Sequence, residues 1–382
     1  MEEKKTILII NKFCPLHPKA GGAEKNLLEI FSRIGAQHNV ILLAGRFPGA
    51  AEEEILKNIH IYRIGAPHSE NVIRIHLLLP FALRSYLKRF TPDILIEDMS
   101  VLPFFTPLLY SKRKKAVMVH GLNGRYFFTS QRFPFSLFGY CAEKLFFMFY
   151  RNETVITVSE WVREKLIRRG FRNVHTILNG VDDTFLKVEK KYAPRPSVLF
   201  LGRLEGRKGV GLLLRTFPFV ETKIPSVRYV IAGRRFYFGE PRRLRKILDY
   251  FGNRYSKDQI EFTGYVSEEK KREFLATTWL LAMPSLTEGY GIVALEANST
   301  GTFVIANDTE GLREAVKRGK TGVLVNCRSV QEFSEKIVEW LSIKKLRERE
   351  EECRAWGKTH SWEKAADEVI KVIHNIIEAR PR

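Results

Sequence analysis

Short runs rich in Val, Ile and Leu recur along this chain, separated by helix-length segments, and that alternation constrains its fold more than any other feature. The first run, Thr6–Asn11 (TILIIN), leads into a loop with Pro15, Pro18 and Gly21–Gly22. A helical pattern begins near Ala23, with Leu27, Leu28, Ile30 and Phe31 on its apolar face. Further strand-like runs follow at Val40–Ala44, Ile59–Ile64, Ile94–Glu97, Ala116–His120, Thr154–Ser159 and Val174–Leu178. The pattern breaks at a charged, proline-containing stretch around Phe185–Pro196, which reads as an interdomain linker. It restarts with Val198–Gly202, then Arg228–Ala232, Ile260–Thr263, Leu280–Met283, Phe303–Ala306 and Gly322–Val325. Strands that alternate with helices form parallel, doubly wound sheets.

The expectation is an α/β protein with two Rossmann-like doubly wound parallel-sheet domains facing a cleft. The first spans residues 1–186 and the second 187–360, and a terminal helix over 361–382 packs back onto the first. A chain of 382 residues suits two cores, and 45% hydrophobic with 12% aromatic residues supplies both. Ligands of such sheets bind beyond the carboxyl ends of the strands, so the chemistry belongs in strand-to-helix loops.

The loop and helix start in Met283–Gly301 (MPSLTEGYGIVALEANSTG) carry the strongest chemical signal. Glu288 stands in the loop and Glu296 about one and a half turns into the helix. Between them Gly289, Tyr290, Gly291, Ile292 and Val293 form the helix entry, whose free N–H groups suit an anion such as a diphosphate. Carboxylates on either side suit sugar and ribose hydroxyls. The bare spacing alone is equally that of a solvated helix face. A second constellation, Gly202–Gly209 (GRLEGRKG), follows the strand VLFL and offers Arg203 and Lys208, either to phosphate oxygens or as a basic surface turn.

This E-x7-E arrangement, with the G-R…K-G loop, resembles the large family of retaining glycosyltransferases of GT-B fold, family 4 (glycosyl transferases group 1). The resemblance implies that Glu288 contacts the transferred sugar and Glu296 the ribose. It implies that Arg203 and Lys208 bind the donor diphosphate and stabilise the leaving group in place of a metal. Gly21–Gly22–Ala23–Glu24 is similar to the family's GGxE loop, so Gly21, Gly22 and Glu24 join the donor set. His120, at the end of the strand AVMV, matches a histidine that lies beside the sugar; a purely structural strand-end histidine is the other reading. Tyr265 and Val266 occupy the place where the family's backbone reads the base. Ser159 in TVSE and the NGVD motif at Asn179–Asp182 match further landmarks, and SWEKAA resembles the start of the last helix.

The resemblance implies a metal-independent hexosyltransferase acting with retention on a UDP- or GDP-sugar, with no cofactor beyond that co-substrate. The acceptor is a hydroxyl, lipid-linked or on a cell-envelope glycan. A glycosyl-phosphorylase or epimerase on the same fold is the nearest rival. Glu97 and Asp98 stand where the commoner pattern has histidines; acceptor binding, acid/base work and loop capping are all open for them.

The acceptor side draws in Arg125 and Tyr126 as well. They open a segment, 125–151, with eleven Phe or Tyr residues interleaved with cations. Such a segment suits a membrane interface or a lipid-linked acceptor, or a core helix with an aromatic loop. A formal charge of +20 favours anionic partners (nucleic acid, an anionic membrane or phosphorylated small molecules) without choosing among them, and is equally that of a solvated, charge-rich surface. With the aromatic segment it suits peripheral contact with an anionic membrane. No recognised nucleic-acid-binding motif accompanies that charge, so no nucleic acid is expected. The four cysteines stand far apart without a CxxC pair, and no run reaches membrane-spanning length. A cytoplasmic protein, at the cytoplasmic face of the membrane, is the expectation. No HExxH, clustered His/Cys set or GxSxG suggests a metalloenzyme or serine hydrolase.

Overall fold

The computed structural model describes residues 3–65, 72–99, 103–122, 124, 134–235, 242–327 and 329–379. They fall into two compact units. The first takes the described chain up to Gly180 together with that from Trp362 onward, and the second takes Val181–Ser361. The stretch 185–196 lies within the second unit, where Lys190 donates to the carbonyls of Leu275 and Thr278. Burial pushes the Lys190 ammonium down to about 7.

In the first unit the elements run β1 (Thr6–Ile10), α1 (Gly22–Ile34), β2 (Asn39–Gly45), β3 (Glu53–Leu56), β4 (Ile59–Ile64) and α2 (Val72–Phe90). They continue with β5 (Ile94–Met99), α3 (Thr106–Leu109), β6 (Lys115–Val119), α4 (Phe135–Phe149), β7 (Thr154–Thr157), α5 (Glu160–Ile167) and β8 (Asn173–Thr176). The sheet order is β3-β4-β2-β1-β5-β6-β7-β8. All pairings are parallel except that of β3 with β4. The central strands are apolar on both sides because helices cover both faces. β3 has no counterpart in the sequence reading. Its EEIL sequence is exposed or half-exposed at the sheet edge, so no apolar run marks it.

The second unit opens with α6 (Asp183–Leu186), β9 (Ser197–Leu201), a 3-10 turn over Gly206–Lys208 and α7 (Val210–Lys223). Next come β10 (Arg228–Ala232), α8 (Arg242–Arg254), β11 (Ile260–Gly264), α9 (Glu268–Thr277), β12 (Leu280–Met283) and α10 (Ile292–Ser299). β13 (Phe303–Asn307), α11 (Glu310–Ala315), β14 (Gly322–Val325), α12 (Val330–Trp340) and α13 (Ile343–Lys358) complete it. Its sheet is wholly parallel, in the order β11-β10-β9-β12-β13-β14. The last helix, α14 (Trp362–Glu378), returns to the first unit. There its Glu363 pairs with Arg33 of α1 at 2.8 Å.

Each sheet reverses its winding at one point, between β1 and β5 in the first unit and between β9 and β12 in the second. Loops leaving adjacent strands diverge there and leave room for a ligand at their carboxyl ends.

Candidate functional site

In the second unit the loops that leave β9 and β12 at the reversal carry Arg203, Lys208 and Glu288. Lys208 Nζ lies 2.6 Å from Glu288 Oε1, and that side chain is only 10% exposed. Burial pushes the Glu288 carboxyl up, but Lys208, Arg207 and a hydrogen bond from Ser285 outweigh it and hold the group below the ordinary range. Glu205 does the same for the other two cations: it lies 2.6 Å from Arg207 and 3.5 Å from Arg203. Its carboxyl, raised by burial, is brought below the ordinary range by those guanidinium groups.

The loops holding these charges are tied together by the backbone. Leu286 N–H donates to Arg207 O at 2.7 Å, and Asn307 at the end of β13 donates to Ser285 O at 2.8 Å. Gly311, in α11, packs so closely that a Cβ there would lie 2.4 Å from the Glu288 carbonyl oxygen. Gly291 caps α10 at φ 103°, a left-handed conformation that only glycine takes at little cost. The N–H groups of α10 therefore begin directly after the Glu288 loop, in a geometry ready for an anion.

Glu296, 1% exposed in α10, receives Lys271 Nζ of α9 at 2.9 Å. It is thus a buried, paired carboxylate and not part of a solvated helix face. Tyr290 is buried with its hydroxyl 2.8 Å from His360 Nε2. Gly289 shares the Glu288 loop, and Ile292 and Val293 form the half-buried first turn of α10. Tyr265 and Val266 follow β11 at the sheet edge, not the reversal point. The Tyr265 ring is exposed, with the Arg234 guanidinium 4.4 Å from its centre.

In the first unit the ends of β1, β5 and β6 bring Asn11, Asp98 and His120 together. Asp98, fully buried, accepts from Asn11 Nδ2 at 2.8 Å and lies 2.6 Å from His120 Nε2. Burial alone lowers the histidine's proton affinity. The Asp98 carboxylate and its hydrogen bond, with Glu24 further off, reverse this and raise it above 6.5. Glu24 itself accepts from Gly21 N–H at 2.7 Å and so caps α1, next to Gly22.

Glu97, adjacent in sequence to Asp98, projects to the opposite side of β5, as strand alternation requires. It accepts from Phe104 N–H, Thr106 N–H and the Thr106 hydroxyl, and from the Tyr150 hydroxyl at 2.8 Å. These bonds hold Phe105 in a left-handed conformation at φ 58°, so Glu97 clamps the loop into α3. Ser159 caps α5 through Val162 N–H, and Asn179 accepts from Asn26 of α1. Arg125 and Tyr126 lie outside the described residues. Farther along that aromatic segment, Phe146, Phe147 and Tyr150 are core.

Two family models cover nearly the whole chain in succession. "Glycosyltransferase Family 4" matches residues 20–185 and "Glycosyl transferases group 1" matches residues 181–353. The chain belongs to glycosyltransferase family 4. A family relative, the GDP-mannose-dependent alpha-(1-6)-phosphatidylinositol monomannoside mannosyltransferase of Mycobacterium tuberculosis, is 34% identical over 164 residues. That match spans 41% of each protein's length. An uncharacterized glycosyltransferase of Methanocaldococcus jannaschii is 25% identical over 68% of this chain and 65% of its own. The sucrose-phosphate synthase of Thermosynechococcus elongatus superposes with a TM-score of 0.82 at 19% identity, covering 99% of this chain and 100% of that one. The fold is GT-B.

Several residues of this family member's site escape sequence reasoning. Glu205 and Arg207 lie inside GRLEGRKG, but nothing in the motif shows which cation each acid takes. Lys271 sits in a helix crowded with charge, EEKKREF, and no spacing singles it out. Asn307 and Gly311 act only through loops distant in sequence.

Proposed function

We propose that the protein is a retaining hexosyltransferase that moves a hexose from a UDP- or GDP-sugar to a hydroxyl acceptor, lipid-linked or on a cell-envelope glycan. The observation that carries this reading is the partly buried Lys208–Glu288 pair at the β9/β12 reversal, with Arg203 beside it and the start of α10 behind it. Arg203 and Lys208 take the diphosphate and, without a metal, stabilise the charge that grows on it as the glycosidic bond breaks. Lys208 then exchanges part of its contact with Glu288 for phosphate oxygen, which frees the carboxylate for sugar hydroxyls. Glu296 takes the ribose. In the first unit Asp98 fixes the orientation of His120, which donates to a sugar hydroxyl. No nucleophile is assigned. The acceptor attacks on the face from which the nucleotide leaves, and the departing phosphate takes its proton.

The name of the mycobacterial relative supports GDP-mannose as a first donor to test and a lipid-borne acceptor class. The four cysteines are unpaired, which supports work in a reducing compartment at the cytoplasmic face of the membrane. A thermal-shift screen of UDP-, GDP- and ADP-sugars tests the donor site, because a ligand that binds the folded state raises Tm. A UDP- or GDP-sugar is expected to raise Tm, and chelation with EDTA to leave the rise unchanged. No response to any nucleotide sugar, or unchanged donor affinity in both Glu288→Gln and Arg203→Ala, refutes the site.

A further inference from the structure

Seventeen large apolar side chains are exposed among the described residues, and nine of them lie on α2, α3 and α4. These helices cover one face of the first sheet. Leu79, Leu83 and Leu87 of α2 share a core with Leu95, while Phe146 and Phe147 of α4 pack on Met99. Leu95 and Met99 point to the same side of β5. The helices also adjoin one another. Tyr110, just after α3, donates its hydroxyl to Pro80 O of α2, and the rings of Phe105 and Phe149 are 6.3 Å apart. Their outer sides therefore make one surface.

That surface is apolar where a water-facing helix is ordinarily polar. α2 presents Leu77, Leu78 and Phe81, the last 74% exposed, and α3 presents Leu108 and Leu109. On α4, Leu137, Phe138, Leu145 and Met148 recur at helical spacing, opposite the core-facing Phe146 and Phe147. A contiguous apolar patch of this kind marks an interaction surface on a soluble protein.

The charges around it identify the partner. Neither α2 nor the chain from Pro103 to Lys115 contains an Asp or Glu. The one acid of α4, Glu143, is buried and accepts from Gly124 N–H. Arg84, Lys88, Lys112, Arg113 and Lys144 are exposed. Glu53 of β3 reaches Arg89 at the end of α2, at 3.6 Å, but among the described residues of the three helices themselves no acid is exposed. Apolar side chains fringed mainly by cations complement acyl chains beneath an anionic headgroup layer. A second copy of this chain would set the same cations against each other, which disfavours self-association.

We propose that the outer face of α2, α3 and α4 docks on an anionic lipid bilayer. Phe81, Phe138 and Met148 insert below the headgroups while Arg84, Lys88 and Lys112 meet lipid phosphates. The purpose of docking rests on the lipid-linked acceptor, but docking itself is measured with neither donor nor acceptor. The full chain is sedimented with vesicles of phosphatidylcholine alone and of phosphatidylcholine with phosphatidylglycerol, at low and high salt. Size exclusion with light scattering runs alongside. Binding to the phosphatidylglycerol vesicles only, weakened by salt, is expected. In the combined variant Phe81→Ser, Phe138→Ser and Met148→Ser, the vesicle affinity falls at least about tenfold, since three large apolar side chains no longer leave water. Its melting temperature and nucleotide-sugar binding stay as in the wild type. Wild-type protein that ignores the anionic vesicles, or a variant that binds them equally well, overturns the proposal. So does a wild-type dimer that the variant dissociates. Nucleotide-sugar binding in the same samples reports separately on the transferase reading.

Discussion

The close approach of Gly311 to the Glu288 loop yields a prediction that separates folding from function. In Gly311→Ala the new methyl stands 2.4 Å from Glu288 O and 2.9 Å from the carbonyl carbons of Glu288 and Gly289. A carbon and a carbonyl oxygen rest at about 3.3 Å or more, so loop and helix must separate by roughly 1 Å. Both partners are backbone, and no rotamer change relieves the contact. Overpacking of this kind costs about 1–3 kcal/mol. Gly311 is inside a helix, however, where alanine is better than glycine by about 1 kcal/mol. The net loss is therefore about 0–2 kcal/mol, which lowers Tm by no more than about 8 °C in a unit of this size. The effect on the proposed sugar site is larger. A carboxylate displaced by this distance loses a charged hydrogen bond worth about 1.5–3 kcal/mol, or about 10- to 100-fold in affinity for the nucleotide sugar. The free nucleoside diphosphate makes no contact with the Glu288 carboxylate and feels its displacement only through Lys208, so its affinity changes less than that of the nucleotide sugar. Calorimetric titration of both ligands into wild type and variant makes the comparison. A Gly311→Ala protein that binds the nucleotide sugar with wild-type affinity refutes the claim that this contact sets the position of Glu288.

Two further outcomes follow from the first unit. Asp98→Asn removes the carboxylate that raises the His120 pKa, so the histidine titrates at lower pH in an NMR titration. In the wild type this raised pKa adds stability that is complete below the unfolded value of 6.5 and disappears as pH climbs through the folded one. Denaturation curves across that window should therefore show a falling stability that Asp98→Asn flattens; an equal slope in both proteins contradicts the pairing. Glu97→Ala strands the donors of Phe104, Thr106 and Tyr150 in the core, at a cost of about 3 kcal/mol or more. Because Glu97 clamps a loop, nucleotide-sugar affinity should be unchanged in the surviving folded protein.

How much of this was legible beforehand depended on whether a residue's partner is local. Parallel strands buried on both faces announce themselves as apolar runs, so the described strands of the second unit and all but β3 of the first stand where the sequence reading puts them. β3 is written in residues that also suit a surface loop. At the site, Arg203, Lys208 and Glu288 are visible because each follows a strand end in a glycine-containing loop. The choice of Lys208 for Glu288, and of Arg203 and Arg207 for Glu205, depends on sequence separations and side-chain reach that no motif encodes. The adjacent acids Glu97 and Asp98 are the clearest case. Strand alternation alone says that they face opposite ways, but only the packing of α3 and α4 shows that one meets a loop and the other a histidine.

The internal pairing of the proposed donor site bears on what the overall charge of +20 can do. Arg203, Arg207 and Lys208 gather beside α10, yet Glu205 and Glu288 offset most of their charge before any ligand arrives. An incoming diphosphate must exchange with carboxylates already in contact with those cations, and only the difference between the two sets of bonds counts toward affinity. That exchange favours release of the nucleoside diphosphate after transfer, since the carboxylates stand ready to retake the cations. Of the exposed cations beside the apolar helices of the first unit, Arg89 pairs with Glu53 of β3 at 3.6 Å, whereas Arg84, Lys88, Lys112 and Arg113 stand on segments that contain no Asp or Glu. On the function and docking proposed above, the cations with internal acids grip a small anion reversibly, and those on the apolar helices meet an anionic surface.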